Sequence, residues 1–428
     1  MNLLSIAWKN LRIRPLNTFL SVVLLAFGVG IISLLLLVEK QLSEQFNRNI
    51  KDIDMVLGYK GSPMQLILAN VYHVDAPTGN IKVSDAQRII RNPMVKKAIP
   101  LAYGDNYEKF RIVGTTFDYP RHYGVELADG HSFEKPFQVV LGANVVAQTG
   151  LKLGDTFEST HGLVQEDNAE EEGHSHDQKF RVVGIYERSG TAIDNLILTP
   201  VESVWLIHHH DEEGHAEEGH EGHDHEHDHD HAHDHDHDHE HFPDIDPMTQ
   251  EMTAYLIIKR SAMAQITLPN LVRDTDMQLA VPAIEVNRLS QDFGLGMDTM
   301  KGIAILIMFL SFISVFVSLF NSLKERKYEL ALMRTMGGGA GKLFALILLE
   351  GIVLSVVGFA VGIALSRLGL WWLSAKMQES FHYGLDTLAF EPAEGWLLAV
   401  TLAVGIVASF LPAWRAFRID ISKTLSNG

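Results

Sequence analysis

The chain has no cysteine in 428 residues. Disulfides are thereby excluded, and any domain outside a membrane must be held by a packed core. A phosphate-binding loop is also lacking. Met336 to Lys342 reads MGGGAGK, but a P-loop needs Gly five residues before its Gly-Lys and Ser or Thr after it. Met336 and Leu343 occupy those two places, so the stretch reads as a glycine-rich turn and the chain is expected to carry no nucleotide site. No nucleophile–base arrangement and no nucleic-acid signature is present. Neither an enzyme nor a nucleic-acid partner is expected.

Four long runs lack charge or nearly so. With 46% hydrophobic and 21% charged residues, the chain is apolar for a soluble protein and too polar to be mostly embedded. Crossing the hydrocarbon core takes about 20 apolar residues at about 1.5 Å each. Pro15 to Val38 and Gly302 to Leu323 contain no charge, Leu343 to Ser366 contains only Glu350, and Gly395 to Trp414 is uncharged. The expected spans are 15–38, 302–323, 343–366 and 395–414. The first exceeds the ~7 to 15 residues of a signal-peptide core, and Leu34 to Val38 offers no small-residue cleavage pattern, so it reads as a retained anchor.

Basic residues orient the spans. Lys9, Arg12 and Arg14 precede the first; Lys324, Arg326, Lys327, Arg334 and Lys342 lie between the second and third; Arg415, Arg418 and Lys423 follow the fourth. Both termini, the 324–342 loop and the 415–428 tail are expected in the cytoplasm, while 39–299 and 370–394 face outward. Residues 1–14 alternate polar and apolar positions at near-helical spacing before Pro15, as in an amphipathic helix on the inner leaflet. Glu39 to Ile50 has no Gly or Pro and is expected to continue the first span as a stalk. Gly294 and Gly296 interrupt the matching stretch before Gly302.

The outward segment reads as mixed α and β. Phe110 to Gly114, Phe137 to Leu141, Phe180 to Tyr186 and Ala254 to Ile258 are strand candidates, and Ser84 to Arg91 and Ala143 to Thr149 are helix candidates. The expected fold class is a membrane α-helical protein with four transmembrane helices and a mixed α+β extracytoplasmic domain.

Within that domain, residues 208–241 contain fifteen His, fourteen Asp or Glu, three Gly and two Ala. No core can form from them, so the tract is expected to be a disordered insert between a strand ending near Ile207 and one beginning near Thr253. Neutral imidazole is the commonest protein ligand for first-row divalent metals, and the interleaved carboxylates add charge and oxygen donors. The candidate ligands are His208, His209, His210, His215, His220, His223, His225, His227, His229, His231, His233, His235, His237, His239 and His241, with His174 and His176 as weaker ones. Zn2+ is the expected ion, although composition does not separate it from copper or nickel. His73, His122, His131 and His382 lack ligand spacing and read as surface or packing residues.

Glu350 lies about eight residues into its span, roughly 12 Å along the helix. It is either a functional intramembrane carboxylate or one hydrogen-bonded between helices near the cytoplasmic end.

The segment Lys324 to Glu350, KERKYELALMRTMGGGAGKLFALILLE, resembles the signature region of the FtsX/MacB/LolC/LolE permeases of ATP-binding cassette systems. The family's basic residue, Glu, Leu-Arg and Gly fall on Arg326, Glu329, Arg334 and Gly337, with Met333 where Leu is commoner. Pro412, Ala413 and Ala416 match the closing Pro-Ala-x-x-Ala segment. His122 to Phe157 and Phe180 to Glu187 are similar to the MacB-like periplasmic core. The resemblance implies a multi-pass permease of the cell inner (cytoplasmic) membrane with a periplasmic MacB-like domain. It would form a homo- or heterodimer and couple to a separate cytoplasmic ABC ATPase through Arg326, Glu329, Arg334 and Gly337 by mechanotransmission. The His-rich insert is foreign to the familiar members. It points to divalent metal handling, with a periplasmic metal-binding protein as a further partner. Two other readings stay open: lipoprotein release or drug or peptide efflux with a metal-buffering loop, and a membrane-anchored metal-binding or signalling protein without transport.

Overall fold

Long apolar runs with few breakers become helices here, and short β-branched runs become strands. The computed structural model describes residues 3–13, 15–160, 175–214, 245–336, 339–381 and 384–418. Its helices are α1 Leu3–Ile13, α2 Pro15–Ile50, α3 Pro63–Asn70, α4 Val83–Ile90, α5 Asp118–Tyr123, α6 Ala143–Thr149, α7 Val201–Gly214, α8 Ala264–Leu271, α9 Pro282–Glu325, α10 Lys327–Thr335, α11 Ala340–Phe381 and α12 Pro392–Phe417. Its strands are β1 Met55–Tyr59, β2 Ile81–Lys82, β3 Val95–Tyr107, β4 Phe110–Thr115, β5 Leu127–Gly130, β6 Gln138–Leu141, β7 Thr156–Thr160, β8 Ser175–Tyr186, β9 Leu196–Pro200, β10 Glu251–Met252, β11 Ala254–Lys259 and β12 Met277–Ala280. They divide into a helical unit, Met1–Glu44 with Leu289–Gly428, and an α/β unit, Gln45–Arg288.

In the helical unit, α2, α9, α11 and α12 are long and apolar enough to cross a membrane. Lipid supplies no hydrophobic drive between such helices, so close approach depends on small residues. A Cβ on Gly351 of α11 would lie 2.8 Å from the Gly405 carbonyl oxygen of α12, and one on Gly358 would lie 2.6 Å from Leu25 Cδ2 of α2. One helix thus uses glycines two turns apart to seat two neighbours.

Two helices exceed their expected bounds. Instead of ending near Ser366, α11 runs on to Phe381, through the first part of the expected 370–394 loop. The expected end falls at the first charge, Arg367, yet that guanidinium is neutralised by Glu394 at 2.8 Å, and between 367 and 381 there is no proline and a single glycine, Gly369. Exposed Trp371 and Trp372 extend the apolar surface there, as aromatic residues do at a membrane–water interface. Similarly, α9 passes through Gly294 and Gly296 without a break, because about 1 kcal/mol per glycine does not outweigh 44 residues of cooperative helix.

The α/β unit is built on one ten-stranded sheet, ordered β12-β1-β11-β3-β4-β9-β6-β8-β5, with β7 pairing β3 and β8. The 13-residue β3 joins its halves: residues near Leu101 pair with β11 and those after Ala102 with β4, with a register shift between Tyr103 and Asn106. Alternate side chains fill opposite faces. Val56, Ile99, Leu101 and Leu256 enter one core, and Met55, Leu57, Tyr255 and Ile257 enter another. Covering both faces explains the nearly continuous apolar strands.

The segment expected to be a strand ending near Ile207 is instead helix α7. Its Val201, Val204 and Trp205 pack into the second core, while Leu206 and Ile207 pack into a third with Phe110 and Phe180. A short apolar run does not reveal its period when two cores receive it. Gly114 permits the approach, since a Cβ there would meet Val204 Cγ2 at 2.8 Å.

Candidate coupling site

Arg326 separates α9 from α10, and its non-helical backbone caps the latter. Its guanidinium turns inward, with Nη1 donating to Glu350 Oε1 of α11 at 3.4 Å and Nη2 to Asn10 Oδ1 of α1 at 2.7 Å. Asn10 Nδ2 closes the triangle by donating to the same Glu350 oxygen at 2.6 Å. The side chains of Arg326 and Glu350 are 14% and 4% exposed. Two residues singled out from sequence for separate reasons are therefore one buried node. The hydrogen-bonded alternative for Glu350 is the arrangement seen.

Glu329 lies in α10, and Arg334, half-buried, in its last turn. Gly337 lies outside the described residues. Leu330 and Ala331 are buried, with Leu330 packing against Leu343, Ile347 and Ala413 of α11 and α12. The opposite side exposes Tyr328, Leu332 and Met336 at 51%, 47% and 83%. Steps of four put these three on one helix face. The sequence search for charge passed over this apolar stripe, which its own i, i+4 spacing could have revealed.

A second polar cluster escaped the sequence altogether. Glu394, at the start of α12, is 1% exposed. It accepts from Ser33 Oγ of α2 at 2.6 Å and from Arg367 Nη2 of α11 at 2.8 Å, and Ser33 Oγ lies 2.9 Å from Ser366 Oγ. Three helices are tied by a carboxylate whose partners lie 27 and 361 residues away, which no local pattern signals.

In the α/β unit, the last turn of α2 is clasped. Asn49 is fully buried, and its Oδ1 accepts from Ala192 N at 2.9 Å while its carbonyl accepts from Tyr123 Oη at 2.6 Å. Tyr72 Oη donates to the Phe46 carbonyl at 3.2 Å and Gln45 Nε2 to the Gly190 carbonyl at 3.1 Å. The Tyr123 bond occupies one of the backbone acceptors that a helix end leaves free.

His73 is a packing residue. Tyr103 Oη donates to the Ala69 carbonyl, and so accepts from His73 Nδ1 at 2.9 Å; Nε2 then accepts from Tyr119 Oη at 2.7 Å. That pattern requires the neutral imidazole. Burial, with the Arg111 guanidinium nearby, lowers its pKa well below the ordinary 6.5. The unfolded chain therefore takes up a proton first as pH falls, so this contribution to stability is complete above about pH 6.5 and is lost below it. Thermal unfolding of the full chain between pH 7 and 5 is expected to show an acid slope that His73→Gln flattens by up to one proton, about 1.4 kcal/mol per pH unit. An identical slope in the variant would remove His73 from this role.

Among the described residues, no group of three or more His, Asp or Glu is arranged to hold a metal. His208, His209 and His210 lie in α7 and His176 in β8. His174 and the candidates from His215 to His241 lie outside the described residues, as does His382. His122 and His131 bond to backbone carbonyls of Lys51 and Ser132.

A four-helix membrane unit with a large α/β unit inserted after its first long helix defines a multi-pass membrane protein with an extracytoplasmic domain. The profile of the MacB-like periplasmic core domain matches residues 18–219, and that of the FtsX-like permease C-terminal domain matches residues 301–421. The chain belongs to the FtsX/MacB family of ABC transporter permeases. Its fold is of the MacB-like type, and permeases of this class act with an ATPase partner. No curated protein matches the chain. The crystal structure of the extracellular domain of the noncanonic ABC-type transporter YknZ from Gram-positive bacteria is similar at 13% identity, over 53% of this chain and 98% of that one, with a TM-score of 0.28. A superposition that loose carries no structural argument.

Proposed function

We propose that the chain works by mechanotransmission, turning closure of a cytoplasmic ATPase pair into movement of its α/β domain on the far side of the membrane. The supporting observation is α2. It runs unbroken for 36 residues, about 54 Å at helical rise against about 30 Å of hydrocarbon, and its last turn is bound by Asn49, Phe46 and Gln45 into the α/β unit. A helix held in this way transmits displacement along its axis rather than absorbing it in a loop. Both termini face the cytoplasm in this reading, and the permease acts as a homo- or heterodimer. The His-rich insert makes a divalent cation, zinc first, the substrate or signal, with a periplasmic metal-binding protein supplying or receiving it.

The face formed by Tyr328, Leu332 and Met336 is the ATPase contact, steadied from behind by Arg326. Leu332→Asp is expected to weaken ATPase binding on the order of tenfold, because buried apolar anchors dominate such interfaces. Leu332 is 47% exposed and joins no apolar core cluster among the described residues, so the melting temperature of the helical unit should move little. Full ATPase stimulation by this variant in a reconstituted complex would refute the assignment.

A further inference from the structure

The inner edge of the helical unit carries a groove that the coupling node does not use. Ala7 and Asn10 face α11, with Ala7 fully buried and Asn10 on Glu350. The opposite side of α1 is thereby turned outward. There Trp8 and Arg12, one turn apart, stand beside Phe19 and Val22 of α2 and Leu354 and Val357 of α11 around a cavity of about 370 Å³. That is within the usual range for a small-molecule site, about 300–1,000 Å³. Its walls are almost wholly apolar, and among the described residues its one charge is the guanidinium of Arg12, held 5.4 Å above the Trp8 ring.

The geometry points to a built site for an anionic phospholipid, one acyl chain lying in the groove between Phe19, Val22 and Val357 and the phosphate on Arg12. The case for this occupant is charge complementarity joined to the apolar walls. Arg12 and exposed Lys9 are the only charged residues of α1, which has no acid, so the rim repels cations and attracts a headgroup bearing net negative charge. A guanidinium can clasp a phosphate through two parallel N–H donors, and cation–π attraction to Trp8 holds it at the rim. A purely apolar groove would take any lipid, whereas this one discriminates by headgroup. Because α1 also carries Asn10, an occupied groove would hold α1 against α11 and so steady the node from its lipid side. The inference depends on neither membrane orientation nor metal cargo.

The test is native mass spectrometry of the full chain released from nanodiscs of equal parts phosphatidylglycerol and phosphatidylcholine with identical acyl chains. The wild type should retain phosphatidylglycerol in preference. Arg12→Gln should lose that preference by about fivefold, the worth of one basic residue at an anionic surface, while still retaining lipid. Val22→Trp, which fills the groove, should lose retained lipid of both kinds, and its melting temperature would report whether it folds. Equal headgroup ratios in the wild type and Arg12→Gln would overturn the proposal. So would a lipid-free dimer in which the groove is covered by a second copy of the chain.

Discussion

Glu350→Ala is expected to destabilise the helical unit by about 3–5 kcal/mol, the cost of leaving a buried partner charge uncompensated. Arg326 and Asn10 both spend a hydrogen bond on the same Glu350 oxygen. With that oxygen gone, a guanidinium that is 14% exposed keeps its bond to Asn10 but loses the Glu350 charge that balances it. Glu350→Gln is the milder change, since an amide oxygen can still accept from Asn10, and it isolates the charge from the shape. The double variant Arg326→Met with Glu350→Met should regain most of the lost stability, because an apolar pair of similar volume avoids the desolvation penalty. It should not regain ATPase stimulation, because α10 would no longer be tied to α1 and α11. Thermal midpoints and stimulation measured on the four proteins separate packing from coupling. An unchanged midpoint in Glu350→Ala would mean that the node bears no load.

The parts of this fold that depend on local pattern could be read from the sequence. Strands observed at Phe110–Thr115, Gln138–Leu141 and Ala254–Lys259 and the helix Ala143–Thr149 coincide with runs whose composition and flanking glycines marked them. Period and propensity act within a few residues, so they survive without tertiary information. The failures arise where the partner is remote. Arg367 looked like the end of a span until Glu394, 27 residues on, was seen to neutralise it, and Ser33 gains meaning only from a carboxylate 361 residues away. The run ending near Ile207 reads as a strand because two separate cores call for apolar side chains on adjacent sides of the helix. At the coupling site, charge drew attention to Arg326 as a contact for another protein, whereas burial assigns it to Glu350. The exposed surface of α10 carries the apolar Tyr328 and Leu332 beside Lys327 and Thr335.

Replacing the twelve histidines from His215 to His241 by glutamine is expected to abolish most zinc binding by the full chain while leaving its melting temperature unchanged. Twelve remain of the tract's fifteen once His208, His209 and His210 are set aside as part of α7. Sparing those three keeps intact a helix whose Trp205, Leu206 and Ile207 fill two cores. The substituted stretch has only Ala216 and Ala232 as apolar side chains, so its loss should remove no core. Glutamine preserves length and polarity but offers no imidazole nitrogen. In the unsubstituted chain, affinity should fall by about tenfold per coordinating imidazole between pH 7.5 and 5.5, because a group of pKa near 6.5 goes from about nine-tenths neutral to about one-tenth. The fourteen carboxylates stay ionised over that interval, so a weak residual affinity that ignores pH would report oxygen ligation alone. Calorimetric titration of both proteins with zinc at the two pH values distinguishes these contributions. Equal zinc stoichiometry with and without the histidines would exclude the tract as the metal site, and the lipoprotein-release and drug-efflux readings of the permease would then take precedence over metal handling.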